Sequence, residues 1–121
     1  MTAKKRTKVL VIVAVGLVAI LGCVLWIELP RREVRALDAS YKQIRRGMSE
    51  SETIGIMGSA GTAGPGTPSA QAYWDDERLS DDETARIAKT LRYRVETFFL
   101  PITFEIALDE GGHVVGKHRY D

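Results

Sequence analysis

A chain of 121 residues with 17 Lys and Arg against 16 Asp and Glu has room for one small core and no strong charge of either sign. From residue 31 onward 13 basic residues face 15 acidic ones, a net of −2, which argues against the electrostatic footprint of a nucleic-acid binder. The single cysteine excludes an intrachain disulfide and gives no reading of the redox compartment.

A short tail, residues 1–8, carries Lys4, Lys5, Arg6 and Lys8. Val9 to Ile27 then runs nineteen residues without a charge, VLVIVAVGLVAILGCVLWI, and the anchor as a whole is placed at residues 9–29. As a helix this run covers about 28 Å, close to the hydrocarbon thickness of about 30 Å, so it is long enough to span a bilayer once. A buried core helix fits poorly, because the run is apolar all round and the remaining protein is too small to wrap it. A lipoprotein signal is the competing reading: Ile20-Leu21-Gly22-Cys23 resembles a lipobox, with Cys23 as the residue to be lipidated. Against it, the apolar run continues past the cysteine through Val24-Leu25-Trp26-Ile27, whereas secretory cores run about 7 to 15 residues. Arg31, Arg32, Arg35, Lys42, Arg45 and Arg46 follow the span and would by count favour the opposite orientation. The basic tail ahead of a first apolar segment nevertheless reads as a signal anchor, placing the carboxyl domain outside the cytoplasm on the inner membrane.

Beyond the anchor, Val34, Leu37, Tyr41 and Ile44 form one stripe of an amphipathic helix that either continues the span or restarts after Pro30. Gly47 is the residue expected just past its end. Ser49-Glu50-Ser51-Glu52 is a capping box, so Ser49 reads as a helix start rather than a nucleophile. The short helix it opens runs to about Met57, with Ile56 and Met57 as its core residues and Gly58 closing it.

The run Ile44-Arg45-Arg46-Gly47-Met48-Ser49-Glu50-Ser51-Glu52, followed by Ile56-Met57-Gly58, resembles the helix–turn–helix opening of the SmpA/OmlA family. That resemblance covers about 15 residues and is mostly turn and capping chemistry. It implies a fold shared with β-lactamase-inhibitor-protein repeats, two helices set against a short antiparallel sheet, and the role of a small envelope lipoprotein in outer-membrane β-barrel assembly. Thr53 departs from it, standing where an apolar residue is usual, and so do the span-like anchor and the long segment after Gly58.

Residues 58–72, GSAGTAGPGTPSAQA, have neither apolar periodicity nor charge and predict a flexible loop. No Gly-Lys-[Ser/Thr] ends the run, so it is not a phosphate cradle. Tyr73-Trp74 follows, an aromatic pair that either opens a strand with Trp74 packed over the helices or contacts a partner at the rim. Asp75-Asp76-Glu77 lacks the offsets of a calcium loop and reads as a solvated turn. A second capping box, Ser80-Asp81-Asp82-Glu83, starts a helix expected to reach about Thr90 with a strand from Leu91 to Phe99, while the spacing of Ile87, Leu91, Val95 and Phe98 also fits a helix running on to Phe99.

Ile102, Phe104, Ile106 and Leu108 alternate with Thr103, Glu105 and Ala107 as a half-buried strand, and Asp109-Glu110-Gly111-Gly112 turns it into a return strand from His113 to Tyr120. His113 and His118 are five apart and so fall on opposite strand faces, which disfavours a shared metal. No catalytic, metal or cofactor pattern emerges. The chain thus reads as α+β: a single amino-terminal transmembrane helix, then residues 31–121 as two or three helices on a short antiparallel sheet. Its expected role is a non-enzymatic, membrane-anchored module that binds a protein partner in the bacterial cell envelope. A lipoprotein of outer-membrane assembly, lipidated at Cys23, or a small envelope ligand-binding or hydrolytic domain are the alternatives.

Overall fold

The computed structural model describes residues 3–59, 62–65, 71–97 and 100–121. Helix α1, Ala3–Gln43, is continuous for 41 residues and contains Pro30. Proline removes a helical hydrogen bond, and here the loss falls just past the end of the apolar run. The helix is long and apolar enough to cross a membrane, and its apolar window is 0% buried by the rest of the protein. The same helix continues into the domain, where Leu37 packs on the core and Tyr41 is buried.

A turn through Gly47, in the left-handed region at φ 82°, leads to α2, Glu50–Met57. Ser49 caps that helix by accepting from the Glu52 N–H at 3.1 Å. Thr53 is completely buried, and its hydroxyl donates to the Ser49 carbonyl at 2.9 Å, which satisfies a polar group at a site where an apolar one would be usual.

The strands are β1 (Thr62–Pro65), β2 (Tyr73–Trp74), β3 (Glu77–Arg78), β4 (Lys89–Val95), β5 (Ile102–Leu108) and β6 (Val114–Tyr120), with α3 at Asp81–Ala85. They form one sheet in the order β1-β4-β5-β6-β2-β3. Its centre is the antiparallel meander β4-β5-β6, and β2 joins β6 in parallel with Trp74 opposite Lys117. The molecule is therefore α+β, with the predicted antiparallel hairpins extended by one parallel neighbour.

Leu91, Tyr93, Phe104, Ile106, Leu108 and Val114 face the helices and form the main core with Tyr41, Ile44 and Met57. Ile56 packs against this cluster from α2. Three expectations need correction. The stretch 58–72 is not all loop: Thr62–Pro65 pairs with Arg92 through Lys89 on the open edge of β4, where main-chain hydrogen bonds suffice and side-chain pattern is irrelevant. The helix opened by Ser80 ends at Ala85 instead of near Thr90, because Lys89 already pairs with Leu108 and Leu91, 1% exposed, belongs to the sheet core. Phe98 and Phe99, expected in that strand, lie outside the described residues. Finally, the second face of β5 is closed rather than solvated. Glu105 is 2% and Ala107 3% exposed, and a smaller cluster of Ala72, Leu79 and Ile87 packs against Ala107. Of the two hairpin glycines only Gly112 takes a positive φ, at 75°.

Candidate functional site

The aromatic pair falls where successive residues of a strand must point in opposite directions. Tyr73 stacks on His118 with ring centroids 4.6 Å apart, and His118 meets Tyr120 edge-on at 4.5 Å. These three side chains form an aromatic row on the sheet face away from α1 and α2. Trp74 is directed to the helix side. The Arg46 guanidinium lies 4.9 Å and the Lys117 ammonium 5.2 Å from its ring centre. The pair is thus divided between two environments, and Trp74 serves packing while Tyr73 belongs to the outer face.

The turn after Trp74 ties both environments to α1. Asp75 takes a positive φ of 53°, a conformation that Asp tolerates better than most residues, and its N–H donates to the Lys117 carbonyl at 2.8 Å. This aims its carboxylate at Tyr41, whose hydroxyl donates to it at 2.7 Å. The Asp75 carbonyl oxygen lies 2.7 Å from Nδ1 of His118, which places the imidazole proton on that nitrogen. Lys117, 5% exposed, donates to the Tyr41 carbonyl at 3.0 Å and stands 3.8 Å from the Asp75 carboxylate. A turn further up α1, Asp38 pairs with Arg119 at 3.0 Å.

Burial pushes the Tyr41 hydroxyl well above its ordinary pKa, and the Asp75 carboxylate adds to that shift. Lys117 is pulled down by burial, with Asp75 opposing. Burial raises Asp38, but hydrogen bonds from Lys42 and Arg119 outweigh it and hold its carboxyl below the usual value. A cleft of about 430 Å³ opens beside this cluster, between Tyr41, Lys42, Asp75, Asp76, Lys117, His118 and Arg119. Its polar groups are engaged mainly with one another, an arrangement that fastens α1 to the sheet.

On the outer face, Arg92 donates to the buried Glu105 carboxylate at 2.9 Å. Burial, and then the neighbouring Glu105, push the Tyr120 hydroxyl up to about 12. His113 sits apart at the hairpin, its Nδ1 3.8 Å from Asp109, whereas His118 meets neither Asp109 nor Asp121 but the Asp75 main chain. Among the described residues no group of three or more His, Cys, Asp or Glu is placed to hold a metal ion. Cys23 is a free thiol exposed on the apolar part of α1.

Lys117, Tyr41 and Asp75 carry most of this geometry, and none of them stood out in the sequence as a site. For Lys117 the sequence carried no signal, because a register shift after Val114 is what brings it opposite Ile106 on the apolar side of the sheet. Compared with models of known families, with curated proteins and with solved structures, the chain finds no match.

Proposed function

We propose that this chain is a membrane-anchored, non-enzymatic interaction module of the bacterial cell envelope. Its α1 spans the inner membrane, and its sheet presents the Tyr73, His118 and Tyr120 row to a protein partner. The observation that carries this reading is the continuity of α1: the helix that carries the apolar run also supplies Tyr41 to the domain core. A domain fastened to its anchor in this way is held at a fixed height and attitude, which suits presentation of a surface. The outer aromatic row supports the choice of face, since aromatic side chains are enriched where partners bind.

Affinity capture of the full chain from detergent-solubilised membranes tests the reading, with Tyr73→Ala/Tyr120→Ala as the comparison. A protein retained by the wild type and lost from the double variant, at unchanged denaturation midpoint, supports it. Identical eluates would remove the outer face from consideration. Protease added to intact spheroplasts should digest the domain; protection until lysis would reverse the orientation.

A second reading is an SmpA/OmlA-type lipoprotein of outer-membrane assembly. It is favoured by the packing of α1, the Gly47-Met48-Ser49 turn and α2 on the β4-β5-β6 meander. It requires Cys23 to carry lipid, so Cys23→Ser should then lose a diacylglyceryl-sized mass. Under the anchor reading the lipid mass is absent from both proteins.

A further inference from the structure

We propose that the end of the sheet nearest the anchor makes a second membrane contact: Leu100, with Arg32 and Arg35 of α1, seats the domain on anionic headgroups of the leaflet from which α1 emerges. This rests on the reading that α1 spans. The order of contacts along α1 identifies which end of the sheet is proximal. Just past the helix end, Gly47 donates to the Val114 carbonyl at 2.9 Å. Further toward the anchor, Tyr41 meets Phe104 with ring centroids 5.5 Å apart, and then Asp38 meets Arg119. Beyond that, Glu33 and Leu37 share a cleft with Tyr93 and Arg94. Leu108 pairs with Val114, and Ile102 with Val95, so the Val95–Ile102 end of the hairpin points at the anchor.

Height follows from standard rises. Twelve residues separate Leu29 from Tyr41, about 18 Å along the helix. Four residues separate Phe104 from Leu100, up to about 13 Å of extended chain, or about 10 Å if the strand is tilted. Leu100 therefore lies roughly 5 to 8 Å beyond Leu29, the last residue of the anchor, within or beside a headgroup layer that is about 5 to 7 Å deep in each leaflet. Arg32 and Arg35 rise through the same band on α1.

The surface chemistry agrees. Leu100 is 66% exposed, and past Leu29 the other exposed large apolar residue among those described is Ile54, at 37%. The Thr97 hydroxyl donates to the Leu100 carbonyl at this end of the sheet. Glu28 is met by Arg31, Glu96 by Arg94 and Asp121 by Arg119. Glu33 is exposed and opposes the contact, whereas Arg32 and Arg35 are exposed with no carboxylate within 4.0 Å among the described residues. An exposed Leu and two guanidinium groups at similar heights along the α1 axis match an anionic bilayer surface, where phosphate accepts from Arg and the apolar side chain enters the acyl boundary.

The test uses the full chain in a Cys23→Ser background, one copy per nanodisc, with a polarity-sensitive fluorophore on Leu100→Cys, Leu17→Cys or Glu110→Cys. In discs containing phosphatidylglycerol, the labels at 100 and 17 should be shielded from an aqueous quencher and blue-shifted, and the label at 110 fully quenched. Arg32→Gln/Arg35→Gln, or discs of phosphatidylcholine alone, should restore quenching at 100 and leave 17 unchanged. Full quenching at 100 with 17 still shielded overturns the second contact and leaves the span intact. Quenching at 17 as well means the span itself is wrong. Shielding at 100 that ignores both lipid charge and the arginines overturns the role of anionic headgroups, and shielding that needs two copies per disc reassigns the surface to self-association.

Discussion

Lys117 donates to the main-chain carbonyl of Tyr41 at 3.0 Å while its ammonium lies 4.5 Å over the ring of that same tyrosine. One side chain of β6 thereby satisfies a carbonyl in the last turn of α1 and holds the aromatic side chain that anchors this turn in the core. A cation there also opposes the partial negative charge at the helix end.

Lys117→Ala should destabilise the domain by about 2 to 4 kcal/mol, since it removes one of the two hydrogen bonds to the Tyr41 carbonyl, leaving that from the Ile44 N–H, and opens space between Tyr41 and Trp74. Lys117→Met, which keeps the volume, should cost less than half of that. Urea melts of the full chain in detergent, followed through Trp74 fluorescence with Trp26→Phe, give both values. Equal loss in the two variants would make the charge, not the packing, the source of the effect.

Phe104 is 0% exposed, and its truncation to Ala should cost about 3 to 5 kcal/mol, a large share of what a small domain has. Deleting Thr62–Pro65 removes a short edge ladder and should cost only about 1 to 2 kcal/mol. The same melts rank the two; a deletion as damaging as Phe104→Ala would place β1 at the centre of the fold.

Two glycines should respond in opposite directions. A Cβ on Gly116 would lie 2.9 Å from a Leu79 methyl and 3.0 Å from the Tyr73 carbonyl, so Gly116→Ala should destabilise by about 1 to 3 kcal/mol. In α2, a Cβ on Gly55 meets nothing within 4 Å, and Gly55→Ala should stabilise by about 0.5 to 1 kcal/mol. Thermal denaturation of both variants decides the signs.

Tyr120 gives the stability an alkaline limit. An unfolded tyrosine ionises near pH 10 and this one is pushed up to about 12, so its contribution is complete below about pH 10 and is lost as pH rises through about 12. Tyr41, also raised, acts in the same direction, and the depressed Lys117 acts against it. Tyr120→Phe should therefore flatten the fall in denaturation midpoint between about pH 10 and 12. An unchanged slope would assign that fall to Tyr41 and Tyr93, both also raised by burial.

Much of the fold was legible because local chemistry agreed with the global structure. Ser49 and Ser80 cap the helices they were expected to start, accepting from Glu52 and Glu83 main-chain N–H groups, and Gly47 and Gly112 take the left-handed turns. What escaped was non-local. Thr62–Pro65 has no strand pattern and pairs only because β4 has a free edge. Glu105 alternates like a solvent residue and is buried by Arg92 and its neighbours across the sheet. Tyr73 and Trp74 looked like one patch in the sequence, yet strand geometry turns them to opposite faces, and the contacts among Tyr41, Asp75 and Lys117 span 34 to 76 residues of chain.

Because α1 runs unbroken through Pro30 into the core, the azimuth of the domain about the axis of α1 is set by a count of residues. Each residue inserted between Pro30 and Val34 would turn the whole sheet by about 100° and lift it by about 1.5 Å. Two residues would swing the Tyr73 row nearly to the far side, whereas seven would restore its bearing to within about 20° while raising it by about 10 Å. The anchor and the domain are therefore indexed like a screw and its head, and a partner that is itself fixed in the membrane would detect phase where a freely diffusing one would not.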